Sequence, residues 1–155
     1  MSIWEKLSII IPVSETEDSW LLLAQDLATL PVDTEILLVG IENSPGRRIF
    51  EEFCAKNPKH ASRFRWIESS KGRALQQNAG AANSKRAFLW FLHADTRVTV
   101  RAREALESAL DRAPNSLHYF ELEFQADGPR LMFINQAGAN FRSRVLGIPF
   151  GDQGF

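Results

Sequence analysis

The chain has 155 residues, 45% of them hydrophobic and 24% charged, and a formal net charge of −1. These values are typical of one soluble globular domain with a single core, and the small charge gives no general attraction to nucleic acid or anionic membranes. The single cysteine, Cys54, excludes an internal disulfide framework and a cysteine-based zinc site. Its position beside Phe53 in an amphipathic pattern predicts a buried, unreactive thiol.

The N-terminal residues lack the features of a secretory signal, because the apolar stretch at 7–13 is short and no small-residue cleavage site follows it. No apolar run approaches the ~20 residues that a membrane span requires. We therefore expect a cytoplasmic protein without a transmembrane segment, folded as a single domain over residues 1–155.

Buried strands and amphipathic helices alternate from the start of the chain. The β-branched run at 7–11, closed by Pro12, predicts the first strand. Ser14 and Glu17 have the spacing of a capping box and predict the start of a helix, whose apolar face would consist of Trp20, Leu23, Leu27 and Leu30. Glu35–Ile41 is the second predicted strand. Ser44 followed by Pro45 predicts the start of a second helix, with an apolar face made of Ile49, Phe50, Phe53 and Cys54.

The same alternation continues through the second half. A short strand is predicted at 64–67 and a helix of small residues at 70–83. Six consecutive apolar residues at 87–92 are typical of a central strand that is buried on both faces. The next helix is predicted from Ala102, Ala105, Leu106, Ala109 and Leu110. The remaining predictions are a strand at 117–124, a helix at 131–146 and a turn-rich end at 147–155.

Strands that alternate with helices of this length predict βαβ units, hence an α/β fold with a mainly parallel sheet and helices on both faces. In such folds ligands bind beyond the carboxyl ends of the strands, near the point where the strand order changes direction. The segments to examine are therefore those that follow each strand, at 12–17, 40–44, 68–73 and 93–97.

The clearest local signal is the polar segment after the fourth predicted strand. A buried apolar strand has no packing reason to end in His93, Ala94 and Asp95. A carboxylate at the tip of such a strand can bind a hard cation while the backbone stays rigid. The alternative is that Asp95 or Thr96 caps the following turn and that His93 is a packed side chain. Spacing alone leaves both interpretations open.

A second signal opens the predicted helix at 70–83. Lys71, Gly72 and Arg73 combine two cations with a glycine at a helix N-terminus, an arrangement that suits a diphosphate. A capped surface helix with solvated cations explains the same residues. Farther along, Asn78 lies among alanines and must find hydrogen-bond partners if it is buried. The glycine-rich segment at 147–154 fits either a surface turn or a loop that contacts substrate.

Together these segments resemble a known family. Residues 7–13 resemble the first strand of family-2 glycosyltransferases, and Glu15 and Glu17 resemble the Asn-Glu-Glu motif that follows it. The stretches 71–81, 91–96 and 149–154 are similar to those of a bacterial subgroup that includes glycosyltransferases of the arsenosugar-biosynthesis type. The resemblance extends from Leu7 to Phe155 and rests on four motifs in the same order.

The resemblance implies a GT-A fold, which is a Rossmann-like three-layer αβα arrangement, and metal-assisted transfer of a sugar from a nucleotide diphosphate to an acceptor hydroxyl with inversion. Asp95 would match the last aspartate of the Asp-X-Asp metal motif, with His93 at its first position, so the implied cofactor is Mn²⁺ or Mg²⁺. Asp152 and Gln153 would lie on the acceptor side. The residues that would contact the nucleotide sugar are Pro12, Val13, Glu15, Glu42, Lys71, Gly72, Arg73, Asn78, Ala94 and Asp95.

Besides Lys85-Arg86 in place of the family's Gly-Asp before the fourth predicted strand, the sequence departs from the family at two places that concern the site. The aspartate-rich turn after the second strand is replaced by a segment in which only Glu42 could contact the base. The catalytic Glu-Asp segment of the family follows the Asp-Gln-Gly motif, whereas this sequence ends at Phe155, so the catalytic residues stay unknown. We expect a C-terminally truncated GT-A domain that binds a nucleotide sugar with little turnover. Apolar surface left uncovered at 117–124 and Phe150 predicts self-association as a homo-oligomer.

Two other classes of protein fit parts of the pattern. A sugar-phosphate nucleotidyltransferase shares the sheet and the use of a metal, but it requires a glycine-rich loop after the first strand, where this sequence has Ser14-Glu15-Thr16-Glu17. A non-catalytic nucleotide-binding or self-associating module needs no catalytic base. Binding of nucleotide without sugar transfer would distinguish that module from an enzyme.

Overall fold

The computed structural model describes residues 2–120, 136–138, 140, 141 and 143. The chain divides into two compact units, Met1–Ser116 and Leu117–Phe155. Because compactness alone does not separate a domain from a subdomain, the single domain expected over residues 1–155 stays a prediction. No helix within the described ranges is long and apolar enough to cross a membrane.

The first unit is an α/β structure built on one parallel sheet. After a 3-10 helix at Ile3–Lys6, its elements in chain order are β1 (Leu7–Pro12), α1 (Trp20–Leu27), β2 (Glu35–Ile41), α2 (Gly46–Lys56), α3 (Pro58–Ala61), β3 (Phe64–Ser69), α4 (Arg73–Asn83), β4 (Phe88–Phe91) and α5 (Val100–Arg112). The four strands are hydrogen-bonded in the order β3-β2-β1-β4, and every pair is parallel. The predicted alternation of strands and helices is confirmed, and the arrangement is Rossmann-like.

Helix α4 packs closely against one face of the sheet. Ile10 and Val39 form part of the apolar cluster on this face, together with Leu37. A Cβ atom added at Gly80 of α4 would lie 2.4 Å from Cγ2 of Ile10 and 3.1 Å from Cγ2 of Val39. The absence of a side chain at Gly80 therefore allows the helix to approach β1 and β2, which explains the small residues of the predicted helix.

The opposite face of the sheet is covered by aromatic side chains of α1 and α2. Phe53 of α2 makes edge contacts with Trp20 of α1 and with Phe64 of β3, both with ring centroids 5.2 Å apart. Phe50 contacts Trp66, two residues along the same strand as Phe64. Cys54 is half-buried on α2, and burial raises the pKa of its thiol, which keeps the unreactive protonated form. Helices therefore flank both faces of the sheet.

Two local predictions are wrong in detail. Glu17 accepts hydrogen bonds from the N–H and hydroxyl of Ser14, each at 3.1 Å, but its own N–H donates to the Ser14 carbonyl. This pattern closes a turn, so the helix begins only at Trp20. The run at 87–92 was predicted to be buried on both faces, whereas β4 is only partly buried and Leu89 is 37% exposed. A run of apolar residues does not show how completely other elements cover each face of a strand.

The second unit is described only in part. Residues 117–120, where a strand was predicted, form no regular element, and residues 121–124 lie outside the described residues. Helical residues occur at 136–138, 140, 141 and 143, within the helix predicted at 131–146. The hydroxyl of Tyr119 donates a hydrogen bond to the carbonyl of Ser143 (3.0 Å). The segment at 147–155, with Phe150, Asp152 and Gln153, lies outside the described residues.

Candidate functional site

A cleft opens where the strand order of the sheet changes direction. From β1 the chain builds β2 and β3 on one side and later adds β4 on the other, so this point lies between β1 and β4. The cleft there has a volume of about 90 Å³, and it is lined by Pro12, Glu17, Arg73, Gln77, His93, Ala94 and Asp95. Small-molecule pockets usually measure roughly 300–1,000 Å³. A cleft of this size has room for a phosphate group with a cation and is too small for a whole nucleotide.

The turn after β4 presents Asp95 to this cleft. The N–H of Leu92 donates to the carbonyl of Ile10 (3.0 Å), which continues the pairing with β1 beyond the end of β4. The N–H of Thr96 then donates to the carbonyl of His93 (3.1 Å) and closes a turn. Leu92 and Ala94 are buried, whereas Asp95 is exposed. A backbone bond closes the turn, so the Asp95 carboxylate is not needed as its cap and faces the cleft.

Arg73, the first residue of α4, contacts the turn that carries Asp95. Its Nη1 atom lies 3.2 Å from Nε2 of His93. A guanidinium has only donors, so Nε2 of His93 is the acceptor in this contact. Its lone pair is then engaged by Arg73, so in this arrangement Nε2 does not bind a metal. Asp95 is the other residue of the turn that could hold a cation.

Gly72 sets the direction in which α4 begins. Its φ of +142° lies in a region that residues with a Cβ rarely adopt, and it occupies the N-cap position without a side-chain cap. The first backbone N–H groups of α4 therefore have no capping side chain, and the helix dipole places partial positive charge there. Arg73 adds a full charge beside the cleft. This end of the helix favours an anion.

Lys71 forms an ion pair across the carboxyl edge of the sheet. Its Nζ lies 3.0 Å from Oε1 of Glu15, and the two side chains are 77% and 51% exposed. The pair joins the turn after β1 to the turn after β3. Pairs this exposed contribute about 0–1 kcal/mol to stability, so an incoming phosphate could displace the carboxylate at little cost.

The buried polar residue of α4 is Gln76, whereas Asn78, which the resemblance placed near the nucleotide sugar, is exposed. Gln76 is 5% exposed, and its Nε2 donates to the carbonyls of Val13 (2.8 Å) and Val39 (2.7 Å). It thus ties the residue that follows β1 to the carboxyl half of β2. The missed signal was the position of Gln76 one helical turn before Gly80, since residues four apart share a helix face.

The structure brings together only part of the predicted site. The predicted residues that line the cleft are Pro12, Arg73, His93, Ala94 and Asp95. Val13 is buried, Glu15 and Lys71 pair with each other nearby, and Glu42, Gly72 and Asn78 are not among the lining residues. Asp152 and Gln153 lie outside the described residues. The cleft adds Gln77 and Glu17, which had been considered only for the family motif and for helix capping.

The described residues contain no group of three or more His, Cys, Asp or Glu side chains that could hold a metal ion. Asp95 and Glu17 are the two carboxylates of the cleft. Glu17 already accepts hydrogen bonds from Ser14 and from the hydroxyl of Ser19 (2.8 Å). A cation in this part of the molecule would therefore need oxygen ligands from a bound substrate as well as from Asp95.

Comparison with protein-family models finds no match, and no curated protein sequence matches the chain significantly. The resemblance to family-2 glycosyltransferases therefore rests on the sequence motifs.

Proposed function

We propose that this protein is a cytoplasmic glycosyltransferase domain of GT-A fold that binds a nucleotide-diphosphate sugar at the cleft between β1 and β4. The observation that carries the proposal is the presence of Arg73 and Asp95 in one cleft at the carboxyl edge of the sheet. Arg73 supplies the positive charge that a diphosphate requires, and Asp95 supplies a carboxylate for a cation. The motifs at 7–13, 71–81 and 91–96 are the independent support from sequence.

The diphosphate would lie at the N-terminus of α4. The uncapped N–H groups that follow Gly72 and the guanidinium of Arg73 both favour an anion there. Lys71 would join them after leaving Glu15, because a phosphate offers more negative charge than one exposed carboxylate. These contacts bind and orient the donor and require no movement of the sheet.

Asp95 would hold the divalent cation, Mn²⁺ or Mg²⁺, together with oxygen atoms of the diphosphate. Mg²⁺ is commonly bound by one or two protein carboxylates plus substrate phosphates, so a single exposed carboxylate fits this role. The ion would supply charge neutralisation for the departing diphosphate. The surrounding residues would fix Asp95, and Arg73, which lines the same cleft, would add its positive charge to the phosphate groups.

The reaction class proposed is transfer of the sugar to an acceptor hydroxyl with inversion, and Asp152 and Gln153 are proposed for the acceptor side. No residue is assigned as the base that would deprotonate this hydroxyl. The alternative is a non-catalytic nucleotide-binding module that self-associates as a homo-oligomer, for which light scattering is the direct measurement. A sugar-phosphate nucleotidyltransferase is disfavoured, because Ser14 and Glu17 form a tight turn where that class needs a glycine-rich loop.

Calorimetric titration with uridine and guanosine diphosphates, with and without Mn²⁺, tests the proposal. We expect Asp95→Ala to remove the Mn²⁺-dependent part of the affinity and to leave the unfolding transition unchanged. Asp33→Ala is the matched control, because Asp33 is exposed just before β2, at the amino edge of the sheet. An unchanged Mn²⁺-dependent affinity in Asp95→Ala would refute the metal assignment, and a wild-type protein that binds neither nucleotide would refute the proposed function.

Arg73→Ala tests the phosphate contact separately. We expect weaker binding of the diphosphates, with the difference from wild type shrinking in high salt because the contact is charge-assisted. Arg101→Ala, an exposed cation near the start of α5, should bind as the wild type does. An equal loss of affinity for the uncharged nucleoside would show that Arg73 supports the fold rather than the phosphate.

A further inference from the structure

The loop that carries Asp95 is anchored at both ends. On the β4 side, the N–H of Leu92 donates to the carbonyl of Ile10 (3.0 Å). On the α5 side, the carboxylate of Asp26 accepts hydrogen bonds from Nε (2.8 Å) and Nη2 (2.9 Å) of Arg97 and from the N–H of Val98 (3.0 Å). Asp95 lies between these anchors, so its position depends on both.

The anchor at Asp26 is stronger than a typical surface ion pair. The Asp26 side chain is only 17% exposed, although that of Arg97 is 47% exposed. Two parallel N–H···O bonds from one guanidinium fix its orientation as well as its distance. These bonds, aided by that of Val98, hold the pKa of Asp26 below its usual range despite the opposing effect of burial. The carboxylate therefore stays charged and keeps accepting three hydrogen bonds.

We propose that Asp26, which lies on α1 and outside the residues that line the cleft, is a positioning residue that holds the loop at 92–98 so that Asp95 faces the bound ligand. This inference rests on the proposed function. Asp26 acts through Arg97 and Val98 and needs no contact with the substrate. Val98 is buried, so a shift at its N–H would move the backbone that leads back to Asp95.

Asp26→Asn tests this role, because asparagine keeps the shape of the side chain but replaces one acceptor oxygen and the charge. We expect faster hydrogen exchange of the amides at 92–98 and a roughly 10- to 100-fold loss of Mn²⁺-dependent affinity for uridine or guanosine diphosphate, as for other residues that orient a metal ligand. Glu52→Gln is the matched control. It makes the same change from acid to amide in another arginine pair, that of Glu52 with Arg48 on α2 (3.0 Å), without changing any contact of Asp26.

Two further measurements separate positioning from general destabilisation. Without Mn²⁺, Asp26→Asn should bind the nucleotide diphosphate as tightly as wild type does, because Asp95, through which it acts, is assigned only to the cation. A loss of the same size without Mn²⁺, or an increase in hydrogen exchange spread equally over the sheet, would overturn the inference. If wild-type protein binds no nucleotide, the proposed function fails. The loop anchor still stands in that case if amide hydrogen exchange in Asp26→Asn becomes faster only at 92–98. Unchanged exchange at 92–98 overturns the anchor whatever the binding result.

Discussion

The two edges of the parallel sheet carry charged residues in opposite circumstances. At the amino edge, Glu35 begins β2 and is 8% exposed, and it accepts hydrogen bonds from the hydroxyl of Ser8, the N–H of Lys85 (3.0 Å) and Nη1 of Arg65 (2.7 Å). At the carboxyl edge, the ion pair of Lys71 and Glu15 is mostly exposed and is made by turns. Each edge carries an ion pair between an acidic and a basic side chain, but only the carboxylate at the amino edge is buried.

This difference in burial indicates different roles for the charged residues at the two edges, structural at the amino edge and ligand-binding at the carboxyl edge. The Glu35 network joins β2 to β1, to β3 and to the turn after α4, so its members satisfy one another inside the molecule. Exposed charges beside a cleft contribute little to the fold and can exchange their partners for a ligand. The amino edge therefore holds the sheet together, and the carboxyl edge is where binding is proposed.

The largest effect expected from this comparison is that of Glu35→Ala. The substitution removes the carboxylate that accepts hydrogen bonds from Arg65, Lys85 and Ser8, and each hydrogen bond to a charged group contributes about 1.5–3 kcal/mol. Because Arg65 is partly exposed and keeps the carbonyl of Asn83 as an acceptor (3.3 Å), we expect a total loss of about 3 kcal/mol. The control is Glu42→Ala, because Glu42 is exposed directly after the other end of the same strand. Glu42→Ala should change the free energy of unfolding by no more than about 0.5 kcal/mol. Urea unfolding of the two variants measures both changes in the free energy of unfolding. Equal losses would show that the two edges of the sheet do not differ in their contribution to stability.

Gln76→Leu is expected to have the next largest effect. The side chain keeps a similar volume but cannot donate to the carbonyls of Val13 and Val39, and an unsatisfied buried polar group costs about 1–3 kcal/mol. Asn78→Ala on the same helix should change the free energy of unfolding by less than about 0.5 kcal/mol, since Asn78 is exposed. If both variants unfold at the same urea concentration, Gln76 does not tie the strand ends together.

The pH dependence of stability should reflect the ionisation of Glu35 at the amino edge of the sheet. Burial alone would raise the pKa of Glu35, but the hydrogen bonds from Ser8, Lys85 and Arg65 outweigh it and lower this pKa from the ordinary value of 4.5. The stability gained from the charged form is therefore complete above pH 4.5 and is lost as the pH falls through the lower pKa of the folded state. The difference in unfolding free energy between wild type and Glu35→Gln should narrow from pH 7 to pH 3. A constant difference would show that the charge of Glu35 is unimportant.

The smallest effect on stability is expected for Lys71→Ala. Because the pair with Glu15 is exposed, its loss should cost less than about 1 kcal/mol and become undetectable in high salt. The same variant should weaken binding of uridine or guanosine diphosphate, whereas Glu15→Gln should leave that binding unchanged or strengthen it by releasing Lys71. A loss of stability comparable to that of Glu35→Ala would show that Lys71 stabilises the fold, as Glu35 does.

Only part of the candidate site could be predicted from the sequence. Some of its residues are marked by a local pattern, whereas others are defined by contacts between distant parts of the chain. Asp95 and Arg73 were found because a strand end and a helix start are local features, visible as a change from apolar to polar residues. The contact of Arg73 with His93 joins residues 20 positions apart, and it depends on how closely α4 packs against the sheet. The buried amide of Gln76 was missed, because composition identified the helix without showing which of its faces meets the sheet.

The sequence by itself determined the order of strands and helices, the parallel α/β class and the segments that follow each strand. These features arise from hydrophobic periodicity and turn residues within a few positions of each other. Only the tertiary structure decided the order β3-β2-β1-β4 of the described strands, the enclosure of Glu35 and the anchoring of the Asp95 loop by Asp26. Each of these depends on which distant surfaces become neighbours when the core closes, and that choice is made by packing of the whole unit rather than by any local pattern.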